Sequence, residues 1–221
     1  MLQGQFESLR YLVRFPRDYK EGERRPVILA LHGAGYRGDD LDVLAQNPVF
    51  TCTEGLSDFP FVLVAPQCHK NTWFDLFETL IRFVDHVLEQ DYTDPARLSV
   101  MGASMGGFAT WQLGMSVPEK FCAMIPICGG GMDWNAPRLV NIPVRAFHGE
   151  IDTIVQPLES KKMVAALQKA GGDATLTVYP DTAHNAWTPT YSDQMLFTWL
   201  KEQKNRAATL SSDGFVGDDF G

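Results

Sequence analysis

The stretch LSVMGASMGGFATWQLGM, residues 98–115, decides how the chain is read. It opens on an apolar run, 98–101, and continues into Phe108, Trp111, Gln112 and Met115 at helical spacing. Between them stands Gly102-Ala103-Ser104-Met105-Gly106, a G-x-S-x-G pattern with Gly107 behind it. A strand, a tight turn and a helix in that order are the setting of a nucleophile elbow. Such a turn forces its serine into a strained backbone conformation, and glycines two residues either side leave room for it. The hydroxyl then projects at the amino end of the next helix. There the helix field and the Met105 N–H favour a developing oxyanion.

Outward from this turn, the runs 27–31, 61–65, 124–128 and 144–147 are apolar without alternation. Strands of that kind are covered on both faces, which is the parallel case. Leu9, Tyr11, Val13 and Phe15 share a parity and predict a half-buried antiparallel strand, stopped by Pro16. Residues 175–179 predict one more strand near an edge. Leu76, Leu80, Phe83, Val84, Val87 and Leu88 follow helical spacing, as do Met163, Val164, Leu167 and Ala170. Pro157 suits the first turn of that later helix and Gly171 its end. A last helix is predicted over 192–200. This alternation predicts an α/β domain over residues 1–203, with a mostly parallel central sheet and helices on both faces. A polar, flexible tail is expected over 204–221.

Composition narrows the function. The chain has 221 residues, 45% hydrophobic and 21% charged, with a formal net charge of −8. An acidic balance argues against nucleic acid and against an anionic membrane surface. No apolar run reaches the ~20 residues of a membrane span. The N-terminus lacks the plan of a signal peptide. Cys52, Cys68, Cys122 and Cys128 form no CxxC and read as reduced core thiols, so a cytoplasmic location is expected. No metal-ligand spacing and no glycine-rich phosphate loop is present, so neither a metal nor a nucleotide cofactor is expected.

Open α/β sheets place their sites at the carboxyl ends of the strands. After 27–31 comes His32-Gly33-Ala34-Gly35. A glycine loop there can turn a second N–H toward the serine, that of Ala34, with Gly35 as the alternative; His32 orients the loop. After 144–147 comes His148-Gly149-Glu150-Ile151-Asp152. Asp152 is the candidate to orient a catalytic imidazole, with Glu150 as the competing carboxylate. After 175–179 comes Pro180-Asp181-Thr182-Ala183-His184, which supplies the candidate base His184. The order Ser104, Asp152, His184 is the one this class of sheet uses. His69 and His86 read as structural, and Gly129-Gly130-Gly131 as a flexible loop at the site's edge.

With these loops in place, the segments LHGAGYRGDD, VAPQC, DPARLSVMGASMGGFATW and HGEIDTIV resemble the α/β-hydrolase superfamily over about residues 8–202. They are most similar to its branch of predicted peptidases, carboxylesterases and dienelactone-hydrolase-like proteins. That branch also holds feruloyl, acetyl-xylan and polyhydroxybutyrate-depolymerase-like esterases, whose secreted polymer-degrading members carry signal peptides. The resemblance implies Ser104 as nucleophile, Asp152 and His184 as its partners, and the N–H groups of Ala34 and Met105 as oxyanion donors. The connections 129–144 and 66–73 are short, so no large lid domain is expected. Trp73, Phe74, Trp134 and Trp187 fall in connections near the cleft, where each either walls an acyl or aryl group or packs away from it. Trp73 and Trp187 are the candidates for substrate contact. The expected activity is that of a carboxylesterase on small short-chain or aryl esters. Its rivals are a thioesterase or peptidase with the same three residues, a feruloyl- or acetyl-type carbohydrate esterase, and a receptor-like binding protein.

Overall fold

The computed structural model describes residues 1–205. Eight strands form one sheet: β1 Leu2–Phe6, β2 Leu9–Arg14, β3 Arg25–Leu31, β4 Val62–Pro66, β5 Thr93–Ala103, β6 Ala123–Ile127, β7 Val144–Gly149 and β8 Ala174–Tyr179. Their order is β1-β2-β4-β3-β5-β6-β7-β8. The pairs β1–β2 and β2–β4 are antiparallel, and the other five pairs are parallel. Seven α-helices accompany them: α1 Leu41–Ala45, α2 Pro48–Glu54, α3 Phe77–Leu88, α4 Met105–Ser116, α5 Leu158–Lys169, α6 Trp187–Tyr191 and α7 Gln194–Lys201. This is the α/β-hydrolase fold.

The continuous apolar strands are explained by two cores, one on each face. Along β3, Val27, Leu29 and Leu31 face the core under α3, α4 and α5, whereas Ile28 and Ala30 face the core under α1, α2, α6 and α7. Both faces are dry, so no position on β3 or β4 is left for a polar alternation.

The strand β1 has no counterpart in the sequence reading. It is an edge strand reading LQGQF, exposed except at Gly4 and Phe6, and of its side chains Phe6 packs on the core, against Phe83 and His86. Its pairing with β2 sets Gly4 opposite Tyr11, and any Cβ at Gly4 would lie 2.2 Å from the Tyr11 ring. The short helices α1 and α2 also lack a periodic signal. Their caps define them: Asp40 accepts from the Asp42 N–H and Asn47 from the Val49 N–H, with Pro48 opening α2.

The first two positions of the expected tail, 204 and 205, fall within the described residues. Asn205 is buried, and its backbone N–H donates to the Ala96 carbonyl at 2.7 Å. The rest of the expected tail, 206–221, lies outside the described residues. Among the described residues, no helix is long and apolar enough to cross a membrane.

Candidate active site

Three loops at the carboxyl ends of the parallel strands meet at Ser104. The serine stands between β5 and α4 at φ 57°, ψ −118°, a conformation that side chains rarely adopt. Such strain costs on the order of 1–3 kcal/mol and persists only where its surroundings enforce it. Here they do. The Ser104 N–H donates to the Ile127 carbonyl of β6 at 2.9 Å. A Cβ at Gly102 would lie 2.3 Å from the Gly106 oxygen, and one at Gly106 only 2.0 Å from the Leu31 oxygen. Only glycine lets helix α4 press this closely on β3.

The Ser104 hydroxyl lies 2.8 Å from His184 Nε2, and His184 Nδ1 lies 2.7 Å from Asp152 Oδ2. A carboxylate oxygen only accepts, so Nδ1 carries a proton. In the neutral ring Nε2 is then free to accept the serine proton. Asp152 follows β7, and its other oxygen accepts from the N–H groups of Ile154 and Val155 at 2.9 and 3.0 Å. Burial alone would raise the Asp152 carboxyl. The bonds from His184, Val155 and Ile154 outweigh it and hold the group below the ordinary carboxylate value. Glu150, the competing carboxylate, is exposed and accepts instead from the Asp181 N–H at 3.4 Å.

The loop after β3 lies against the serine, since a Cβ at Gly33 would sit 3.5 Å from Ser104 Cβ. His32 fixes that loop. Its Nε2 accepts from the Cys68 N–H at 2.9 Å, so its Nδ1 is the protonated nitrogen and donates to the Gly33 carbonyl at 2.7 Å. Burial pushes His32 down to about 4, which keeps it neutral at ordinary pH. The next peptide is oriented by Arg37, whose Nε donates to the Ala34 carbonyl at 2.9 Å. Ala34 opens a 3-10 turn and Met105 opens α4. The N–H groups of a first turn have no acceptor within their own helix. Both flank Ser104.

Of the two tryptophans expected at the substrate, the structure keeps one near. Trp187 stands edge-on to His184, with ring centroids 5.2 Å apart. Trp73 is a correction. It is fully buried, packs on His32 with centroids 4.9 Å apart, and donates its indole N–H to the His32 carbonyl at 3.0 Å. It supports the loop from below, because a large ring with one donor suits a pocket that offers one acceptor. Phe74 and Trp134 are exposed.

Two residues beside Asp152 escaped the sequence reading as parts of the site. His148 is fully buried on β7, with Nε2 2.9 Å from the Val155 carbonyl and 3.3 Å from Asp152 Oδ2. Both are acceptors, so Nε2 carries a proton. Its Nδ1 lies 2.7 Å from Ser160 Oγ, which in turn lies 2.8 Å from the Gly129 carbonyl. The signal available was the i, i+4 spacing of His148 and Asp152 across the end of a strand. Cys128 directly follows β6 at φ 48°, with Sγ 3.3 Å from the His184 carbonyl. Among the described residues, Cys128, Asp152 and His184 form the one group whose side chains could hold a metal, with donor atoms within 4.8 Å of one another. Burial pushes the Cys128 thiol up to about 12, and the nearest Asp152 and His184 atoms already bond to one another or to Ser104. These donors are satisfied without a cation.

Comparison with known proteins supports the fold and a hydrolase of the esterase kind. A thermostable esterase of known structure superposes with a TM-score of 0.78 at 30% identity, covering 92% of this chain and 63% of that one. A ferulic acid esterase superposes with a TM-score of 0.70 at 17% identity, over 87% of this chain and 92% of the other, a likeness of fold. Dipeptidyl-peptidase 5 of Porphyromonas gingivalis is 23% identical across 54% of this chain. The acylamino-acid-releasing enzyme of Arabidopsis thaliana is 44% identical across 20% of it. The chain spans only 24% and 6% of the length of those two relatives. Residues 65–210, more than half of the sequence, match the dienelactone hydrolase family, and the chain belongs to that family.

Proposed function

We propose that the protein is a serine esterase that cleaves carboxylic esters of small alcohols through an acyl-enzyme on Ser104. The observation that carries this reading is the unbroken series from the Ser104 hydroxyl to His184 at 2.8 Å and from His184 to Asp152 at 2.7 Å. His184 Nε2 takes the serine proton as Oγ attacks the ester carbonyl. Asp152 balances the imidazolium that forms. The N–H groups of Met105 and Ala34 receive the oxyanion, each worth on the order of 3 kcal/mol in the transition state. His184 then returns the proton to the departing alkoxide, and a water repeats the sequence on the acyl-enzyme.

A second reading, amide hydrolysis, is favoured by the name of one relative, dipeptidyl-peptidase 5. Side-by-side turnover of a p-nitrophenyl ester and the matching p-nitroanilide separates the two. We expect the ester to be favoured by several orders of magnitude. A fluorophosphonate probe is expected to label Ser104, and its failure to do so overturns both readings. The four unpaired thiols support a reducing, cytoplasmic setting.

A further inference from the structure

Helix α4 is buried almost all round. From Ser104 to Ser116, the partly accessible residues are Ser104, Met105, Phe108, Gln112 and Ser116, while every other position is buried. Four of these five recur every fourth residue, so they form one stripe along the helix that starts at the nucleophile. At 1.5 Å per residue, Phe108 lies about 6 Å and Gln112 about 12 Å along the axis from Ser104. Phe108 and Gln112 of this stripe line a recess of about 480 Å³, which begins one helical turn beyond Ser104. One wall is Phe74 and Phe77, from the connection after β4, with rings 6.2 Å apart and nearly parallel. The other wall is the loop after β6, ending in Met132. Gly130 keeps the recess wide, since a Cβ there would lie 3.3 Å from the Phe108 ring and 2.7 Å from Glu159 Cβ.

The direction of the recess says which half of an ester enters it. The leaving oxygen must lie within reach of His184 Nε2, so the alcohol half lies on the side from which His184 arrives. That side is the layer of α6 and α7, with Trp187 packed into it. The oxyanion faces the loop of Ala34. The remaining substituent of the tetrahedral carbon is the acyl chain. It is left pointing along α4, over the opposite layer, where Phe77 packs.

We propose that this recess is the acyl subsite, and that it takes an apolar acyl group of about 10 Å, linear or ending in an aryl ring, with Phe108 and Phe74 as its specificity-determining side chains. The proposal rests on the serine-esterase reading above. The apolar lining extends from Phe108 to Gln112, whose amide marks the end of the stretch that favours hydrocarbon.

The test uses two ester series. One varies the acyl group on p-nitrophenol: acetate, hexanoate and 3-phenylpropanoate. The other varies the alcohol on acetate: methyl, hexyl and phenyl. The wild-type enzyme is expected to prefer hexanoate and 3-phenylpropanoate over acetate in kcat/KM. In Phe108→Ala that preference is expected to fall at least tenfold, and in Phe74→Ala about threefold, while the ranking of alcohols changes less than twofold. Phe74 is half exposed, so its truncation leaves the core intact and reports even if Phe108→Ala folds poorly. A flat acyl dependence in an enzyme that turns over acetate and is labelled at Ser104 overturns the subsite alone. So does a loss that follows the alcohol series. Absence of both labelling and ester turnover overturns the esterase reading and the subsite with it.

Discussion

The two ends of the sheet each carry a recess, and the larger one is at the end away from Ser104. At the amino ends of the parallel strands a recess of about 680 Å³ is lined by Arg14, Phe15, Phe50, Glu54, Asp58 and Phe59, among others. At the carboxyl ends the recess along α4, lined by Phe108 and Gln112, is about 480 Å³. The difference between them lies in what their polar groups still have to offer. In the larger recess the Arg14 guanidinium donates to the Phe50 carbonyl and the Thr53 hydroxyl, and lies over the Phe50 and Phe59 rings at 5.8 and 5.3 Å. Arg17 donates to the Glu54 carbonyl, and Asp58 pairs with Lys201 at 2.7 Å. Those groups bind each other and hold α2 to β2. At the carboxyl end, the strained Ser104 hydroxyl lies 2.8 Å from His184 Nε2, at the first turn of α4. Hydrogen-bonding capacity that is poised rather than consumed marks the site, and volume does not.

The strongest challenge to that contrast is a pair of substitutions, one at each end. Ser104→Ala is expected to lower kcat by about 10⁴-fold or more while leaving the thermal midpoint near that of the wild type. Arg14→Met is expected to do the reverse. It strands two buried acceptors and so costs about 2–4 kcal/mol of stability, yet turnover per folded molecule stays within about twofold. Steady-state kinetics with active-site titration, alongside chemical denaturation, measures both. Equal losses of turnover would erase the distinction between the two ends.

Two aspartates sharpen it further. Asp152→Asn is expected to cost roughly 10³- to 10⁴-fold in kcat, because an amide can no longer hold His184 in the required tautomer or balance its charge. Asp58→Asn breaks an exposed pair and is expected to leave turnover and thermal stability at the wild-type level. If Asp58→Asn impaired turnover comparably, the amino-end recess would have to be coupled to the chemistry.

Much of this division was legible in the chain itself. The parallel strands announced themselves because both faces of β3, β4 and β6 are buried, which removes every polar position. The turn around Ser104 was legible because its glycines are demanded by backbone contacts of 2.0–2.3 Å, and no other residue meets that demand. The meeting of Ser104, Asp152 and His184 followed from loop order at the strand ends. What stayed hidden has physical reasons too. Edge strand β1 adds only Phe6 to the core, too little for a periodic signal, and α1 and α2 are fixed by single capping side chains. Trp73 and Trp187 look alike in sequence, both aromatic and both in a connection, and only the position of the His32 carbonyl decides that Trp73 turns inward. The fourth group behind Asp152, His148, left only its i, i+4 spacing as a signal, because contact between a strand residue and a loop residue four positions on depends on how the loop folds back.

That fourth group offers a smaller test within the carboxyl end. His148 braces the Asp152 carboxylate at 3.3 Å and, through Ser160, touches the Gly129 carbonyl at the cleft. It does not touch the reacting atoms, so it acts as a positioning residue. His148→Gln is expected to lower kcat by about ten- to a hundredfold through misplacement of Asp152, with KM nearly unchanged. A rise in KM at constant kcat would instead assign His148 to substrate binding.

The smallest expected effect concerns pH, and it too separates the two ends, because the residues lining the amino-end recess include no histidine. His32 is buried under the loop of Ala34 and held down to about 4 by that burial, against an ordinary value of 6.5. In the unfolded chain the ring takes up a proton as pH falls through about 6.5, while in the fold it resists until about 4. The unfolded state therefore binds more protons throughout that window, and stability falls as pH is lowered through it. The contribution is complete above about pH 6.5, and the loss by pH 4 is on the order of 3 kcal/mol. His32→Gln removes the titration. It is expected to be less stable than the wild type at pH 7.5, since the bonds to Cys68 and Gly33 are weakened, and to lose less on going to pH 4.5. Burial lowers His148 in the same direction, so some slope persists in the variant. Denaturant unfolding at pH 7.5, 5.5 and 4.5 measures the two slopes. Parallel slopes would show that the acid sensitivity of the fold does not originate at His32, and that its loop stays in place whether or not the ring is charged.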